Sequence, residues 1–288
     1  MNTRTTPAPP HSEFFPAPKS PPVAARLFTT IKDDVAQIRK FWPVVQNMVA
    51  QELRVRYQRS MLGFFWTLLN PILMMLTLTA VFSKLLGRGP REYALFLFSG
   101  MVPWGLLSTA LTDCAFCIIA NEGLIRKIYL PKMIFPLTRV LINLVTTALS
   151  FAALFLLLAP LGARLTLPML LLPVILILFT LFTLGLGLIV ATLNTFYRDC
   201  SHLVTVFLQA WYFATPILYP ASQFENSPWM IWLNPAYPFI RLFQIVISPE
   251  GVWPSLSLFA AAVAIAVTCL GVGYAAFKSN EDKLIFRL

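Results

Sequence analysis

The sequence predicts an all-α integral membrane protein with six transmembrane helices, and three observations lead there. First, 58% of its residues are hydrophobic and only 12% charged, with a mean hydropathy of +0.73, whereas soluble domains carry roughly 25% charged residues. A chain this apolar cannot clothe itself with polar surface, so lipid must serve as part of its solvent. Second, the apolar stretches are continuous and run for roughly 18–27 residues, the length of a helical crossing, rather than alternating as barrel strands do. In hydrocarbon an unpaired backbone group costs several kcal/mol, which leaves only helices and closed barrels as spanning structures. Third, most of the 22 Lys and Arg residues flank the apolar stretches on one side, as the positive-inside rule requires.

Taken in order, residues 1–31 are rich in proline (Pro7, Pro9, Pro10, Pro16, Pro18, Pro21 and Pro22). They hold no apolar run, so they predict a disordered arm rather than a secretion signal. Residues 32–60 form a second region. Val35, Ile38, Trp42, Val45, Val49 and Leu53 recur at steps of three and four, the spacing of an amphipathic helix. Pro43 falls inside it and predicts a kink or a restart. The basic cluster Arg54, Arg56 and Arg59 closes the region, and such a helix suits the inner membrane interface. The third region, 61–288, holds the spans, drawn at Leu62–Leu86, Tyr93–Ile119, Val140–Leu158, Leu167–Leu193, Leu203–Leu218 and Leu256–Phe277. Between the fifth and sixth, Pro228, Pro235, Pro238 and Pro249 break up the chain. The pieces Trp229–Leu233 and Tyr237–Ile247 are too short to cross. They predict two re-entrant half-helices on the outer side, with Trp229, Trp232, Tyr237 and Trp253 at headgroup depth. The charge asymmetry puts both termini inside.

Several function classes lack their chemistry. The net charge of +10 sits at the ends of apolar runs, which fits topology and anionic lipid rather than nucleic acid. Cys114 and Cys117 are spaced C-x-x-C within a span, with no second pair nearby, and predict small packing residues rather than a metal or redox site. Gradient-driven carriers place ionisable groups in mid-span; here Asp113 stands almost alone, near the inner end of the second span. No phosphate-cradling G-x-x-x-x-G-K-[ST] loop occurs, so the chain is expected to have no nucleotide site of its own. Gly185-x-Gly187 and Gly271-x-Gly273 lie within spans and predict close helix packing. His11 and His202 have no acidic cluster beside them, and neither a metal site nor catalytic residues are expected.

The inner loop Asn121–Pro136 is the most informative segment. It sets Leu124, Ile125, Ile128 and Tyr129 beside Arg126 and Lys127, with prolines around its second half. A plain connector has no use for so apolar a segment in water. Two roles fit: docking into a groove on a partner, or lying on the lipid surface.

The stretch LRVRYQRSMLGFFWTLLNP, Leu53–Pro71, resembles the approach to the first span in type-2 ABC exporters of polysaccharides, the family that moves O-antigen, teichoic acid and some capsules. Further blocks are similar in the same order: Phe98–Trp104 (FSGMVPW), Leu124–Pro131 (LIRKIYLP), Asn194–Asp199 (NTFYRD) running on to Thr215–Pro220 (TPILYP), and Leu233–Pro235 (LNP). They cover residues 50 to 245, and the proline-rich arm lies outside them. The resemblance implies the permease subunit of such an exporter, in a bacterial inner membrane with cytoplasmic termini. It implies a second copy of itself and two copies of a separate ABC ATPase, which holds the ATP and Mg. The implied cargo is a glycan on an undecaprenyl-diphosphate anchor; the alternative is a type-2 exporter of a drug or lipid. The family's coupling helix corresponds to about Asn121–Tyr129, its interface helix to about Asp34–Tyr57, and its exit to the half-helices. Arg54, Arg56, Tyr57 and Arg59 then stand where a diphosphate lipid would load, since the arginine fork pairs two oxygens at once; setting topology is the other role for them. Phe64, Phe65, Trp66, Trp104, Trp211, Tyr212 and Phe213 are candidates for a weakly binding aromatic wall along a glycan channel, or for lipid-facing packing.

Overall fold

The computed structural model describes residues 23–58, 65–85, 87, 89–158, 166–224, 233–284 and 287. Every regular element among them is helical. The chain divides into two compact units, one ending at Lys40 and the other spanning Phe41–Leu288. Helix α1, Val23–Lys40, belongs to the first and begins well before residue 32, where the amphipathic pattern starts. The second unit opens with α2, Trp42–Tyr57. Phe41 leaves the helical region (φ −92°, ψ 9°) and Pro43 occupies the first turn of α2, the position where its missing N–H costs nothing. The described part of the amphipathic stretch, from residue 32 to 57, is therefore two helices in two units.

Six further helices form the bundle: α3, Phe65–Leu85; α4, Pro90–Phe116; α6, Ile134–Leu158; α7, Leu172–Phe196; α8, Cys200–Ala214; and α10, Leu256–Leu284. Two short α-helices among the described residues stand between them: α5, Glu122–Ile125, and α9, Tyr237–Ile247. Among the described residues, four stretches are long and apolar enough to cross a membrane: Pro90–Phe116, Ile134–Ala152, Leu167–Phe196 and Leu256–Leu284. Two of the six expected spans are not among these four. For the first, expected at Leu62–Leu86, α3 covers Phe65–Leu85, and residues 62–64 and 86 lie outside the described residues. For the fifth, α8 has 15 residues, about 22 Å at 1.5 Å per residue, against about 30 Å of hydrocarbon. Its end is local chemistry. Thr215 precedes Pro216 and is extended (φ −100°, ψ 133°), because the proline ring clashes with a preceding α conformation.

α4 is the centre of the bundle, packing against α3, α6, α7, α8 and α9. α7 lies along α10, and glycines set how closely. A Cβ on Gly185 would sit 2.5 Å from the carbonyl carbon of Cys269, and one on Gly273 would collide with the carbonyl oxygen of Gly185. Cys114, a small side chain, fills the space over Gly187. α9 is buried against Phe179 and Phe182 of α7 and Phe151 of α6. Ring centroids are 4.9 Å apart for Phe182–Phe239, 5.3 Å for Phe179–Phe239 and 5.6 Å for Phe151–Phe243. Of the two expected half-helices, only this second one falls within the described residues; Trp229 and Trp232 do not.

Candidate functional site

At one end of the bundle the chain leaves α4 through a short 3-10 turn, Ile119–Asn121, into α5. Asn121 donates from Nδ2 to the Cys117 carbonyl at 2.7 Å, continuing the hydrogen bonding past the helix end. The apolar residues of this loop divide into two pairs. Leu124 and Ile125 are half-buried and pack on a cluster built by Cys117, Ile118, Phe135, Leu188, Phe277 and Leu284. Ile128 and Tyr129 are 53% and 80% exposed. Lys127 is exposed beside them, and Arg126 pairs with Glu122 at 2.7 Å, a surface contact worth under about 1 kcal/mol. Lys132, which is buried, donates from Nζ to the Glu281 carbonyl at 2.6 Å. That carbonyl lies in the last turn of α10, where a cation meets the negative end of the helix dipole. The loop is thus braced by the end of α10, with its outward pair exposed.

On the same side, α2 is tied to α6 by Glu52 and Arg139, 3.1 Å apart. Asn143 of α6 donates from Nδ2 to Asp113 Oδ2 at 2.8 Å and to the Arg139 carbonyl at 2.9 Å. Asp113 is therefore a partner in a helix–helix contact. Arg54 and Arg56 are exposed on α2. Arg59 and Phe64 lie outside the described residues, and Tyr57, Phe65 and Trp66 are placed by their helical backbone alone.

The remaining aromatics meet between α4 and α8. Trp104 is 6% exposed, with Trp211 edge-on at 5.6 Å and Tyr212 at 5.7 Å. Phe213, 63% exposed, lies 5.4 Å from Tyr212, and the exposed Phe207 lies 5.3 Å from Trp211. Asn234, a residue singled out only as part of a short motif, holds this corner. Its Oδ1 accepts from Trp211 Nε1 at 2.8 Å and from the Ala236 N–H at 3.0 Å, and its Nδ2 donates to Thr215 Oγ1 at 2.9 Å. Two more bonds fix the segment after α8: Tyr93 Oη donates to the Leu218 carbonyl at 2.8 Å and Gln244 Nε2 to the Pro216 carbonyl at 2.8 Å. The signal was present in TPILYP and LNP, but the partners Tyr93 and Gln244 are remote in sequence. Among the described residues, no group of three or more His, Cys, Asp and Glu side chains is placed to hold a metal.

A multi-pass helical membrane protein with a braced inter-helix loop and a short buried helix before its last span is the class that this geometry defines. Comparison with known proteins specifies it. Residues 43–248 match the ABC-2 type transporter family, and the chain belongs to that family. It is 30% identical over 252 residues to the O-antigen export system permease protein RfbA of Myxococcus xanthus, covering 86% of this chain and 96% of that one. It is 32% identical over 191 residues to the protein of the same name from Klebsiella pneumoniae, covering 64% and 72%. Against the polysialic acid transport protein KpsM of Escherichia coli the identity is 23% over 250 residues, covering 84% and 95%.

Proposed function

We propose that this chain is the membrane subunit of an ATP-driven exporter of polysaccharide carried on undecaprenyl diphosphate. The observation that carries the reading is the similarity over nearly the full length of a permease named for O-antigen export. In this reading two copies of the chain sit in a bacterial inner membrane with cytoplasmic termini, six spans each, and α9 enters the outer leaflet as a re-entrant half-helix. Two copies of a separate ABC ATPase bind ATP and Mg; the chain contributes no catalytic group.

The loop geometry supports a mechanical link. Ile128 and Tyr129, with Lys127 at their rim, form an outward apolar contact of the kind a partner groove accepts. Leu124 and Ile125 fasten the same loop to the ends of α4, α6, α7 and α10. A push from closing ATPases would then move packed helices together rather than bend a slack connector, because close-packed interiors transmit strain. Arg54 and Arg56, exposed on α2, with Arg59 following, would draw the diphosphate to the inner mouth. Phe207 and Phe213 would offer ring faces to the sugar, backed by Trp211, Tyr212 and Trp104. Weak stacking suits a long polymer that must keep moving.

Deletion of the gene, with surface glycan and cytoplasmic lipid-linked glycan assayed together, tests the reading. Loss at the surface with accumulation inside is expected. Unchanged surface glycan would replace it by export of a drug or lipid through the same type of subunit.

A further inference from the structure

At the end of α4 remote from the 122–131 loop, the second unit contains a cleft of about 380 Å³. This lies within the range of small-ligand pockets, about 300–1,000 Å³. Its polar walls are Glu92 and Ser99 of α4, Ser222 after the TPILYP turn, Arg241 and Gln244 of α9, and Glu250 beyond α9. Phe96 adds a half-buried ring.

Two of these side chains carry hydrogen-bonding capacity that no described residue takes up. Gln244 is only 6% exposed and is held by its Nε2 bond to the Pro216 carbonyl. Gly100 leaves room for this approach: a Cβ there would stand 3.1 Å from Ile217 and 3.5 Å from Gln244 Nε2. The Oε1 atom of Gln244 accepts no hydrogen bond among the described residues. Arg241 is half-buried and, among the described residues, its guanidinium makes neither a hydrogen bond nor an ion pair. A fixed acceptor and a five-donor fork thus line the same cleft, where both can pair with a ligand. The surrounding charges narrow the ligand. Glu92 and Glu250 would repel a phosphate or a polyanion, whereas a sugar hydroxyl both donates and accepts, and so suits carboxylate, amide and guanidinium alike. The Phe96 ring adds an apolar surface for the C–H face of a sugar ring.

We propose that this cleft, formed by Glu92, Ser99, Arg241 and Gln244, binds a short uncharged, hydroxyl-rich segment of the exported glycan, holding it at the outer end of the subunit. The assignment of the ligand rests on the export reading above. Its test is binding of fluorescently labelled, lipid-free surface glycan from the host strain to the full chain with its ATPase in nanodiscs. Arg241→Gln removes the fork; Ser222→Trp, at an exposed position, obstructs the cleft without touching the core. Each is expected to weaken binding about tenfold, equivalent to about 1.4 kcal/mol. Should Arg241→Gln fail to fold, Ser222→Trp decides alone. Equal binding by wild type and variants, no binding by wild type, or displacement of the glycan by inorganic pyrophosphate would each overturn the proposal. The gene deletion tells the two ideas apart: unchanged surface glycan in that strain removes the export reading, while the binding assay judges the cleft by itself.

Discussion

Glycines 185, 187, 271 and 273 look alike as residues in apolar helices, and the bundle treats them differently. At Gly185 an added methyl meets the backbone of Cys269, which cannot turn aside as a side chain could. Gly185→Ala or Gly273→Ala must therefore push α7 and α10 apart, and a loss of about 1–3 kcal/mol is expected. Gly271 has nothing within 4 Å of the same position, so Gly271→Ala should stay within about 0.5 kcal/mol of wild type. Thermal unfolding of the three variants in detergent, followed by size exclusion, separates them; equal midpoints would contradict the packing described. The G-x-G spacing predicted close packing but not that Gly185, Gly187 and Gly273 perform it while Gly271 does not. Arg54 and Arg56 make the opposite case. Both are exposed, so neutralising them together with Arg59 should leave stability within about 0.5 kcal/mol while lowering crosslinking of the chain to a photoreactive polyprenyl diphosphate. Unchanged crosslinking would reduce these arginines to topology signals.

Among the elements, the loop after α4 was recognisable from its mixture of apolar and basic residues. Its division into an inward and an outward pair was not, because a segment of four helical residues has no periodicity to read. That division sets an expectation. Ile128→Asp with Tyr129→Asp should cut copurification of the ATPase severalfold while the chain still inserts and elutes normally. Leu124→Asp places a carboxylate against the cluster of Phe135 and Phe277 and should instead lower the yield of folded chain, since an unpaired buried charge is costly. If the outward double variant retains the ATPase, this loop is not the docking element. α8 shows a second limit. Its apolar pattern runs on to Leu218, yet Pro216 stops the helix at Ala214. The preference of a residue before proline for extended backbone was legible and outweighed hydropathy.

For the molecule as a whole, large apolar residues remain on the outside of α3 (Leu73, Met74, Leu76), α8 (Leu203, Val206, Phe207) and α10 (Val267, Val272). In water such surfaces would drive association; lipid, or the second copy proposed here, covers them. Orientation is a property at this scale, and charge placement sets the expectation for it. In a chain lacking Cys114, Cys117, Cys200 and Cys269, a cysteine at Lys127 should react with an impermeant maleimide only after the inner side is opened. One at Ser222 should react in intact spheroplasts. The reverse pattern would invert the topology.

The sequence by itself determined the solvent, the helical class, the charge asymmetry and the relatives to which the chain is similar. Each of these depends on composition and local order, which need no three-dimensional partner. Only the tertiary structure decided that Gly185 and Gly273 are contact points, that Trp104 is packed away while Phe213 is exposed, that Asn234 joins α8 to the segment before α9, and that Arg241 and Gln244 share a cleft with Glu92. The reason is distance along the chain: these contacts join residues tens to more than a hundred positions apart, and their burial and hydrogen bonding exist only once the helices pack.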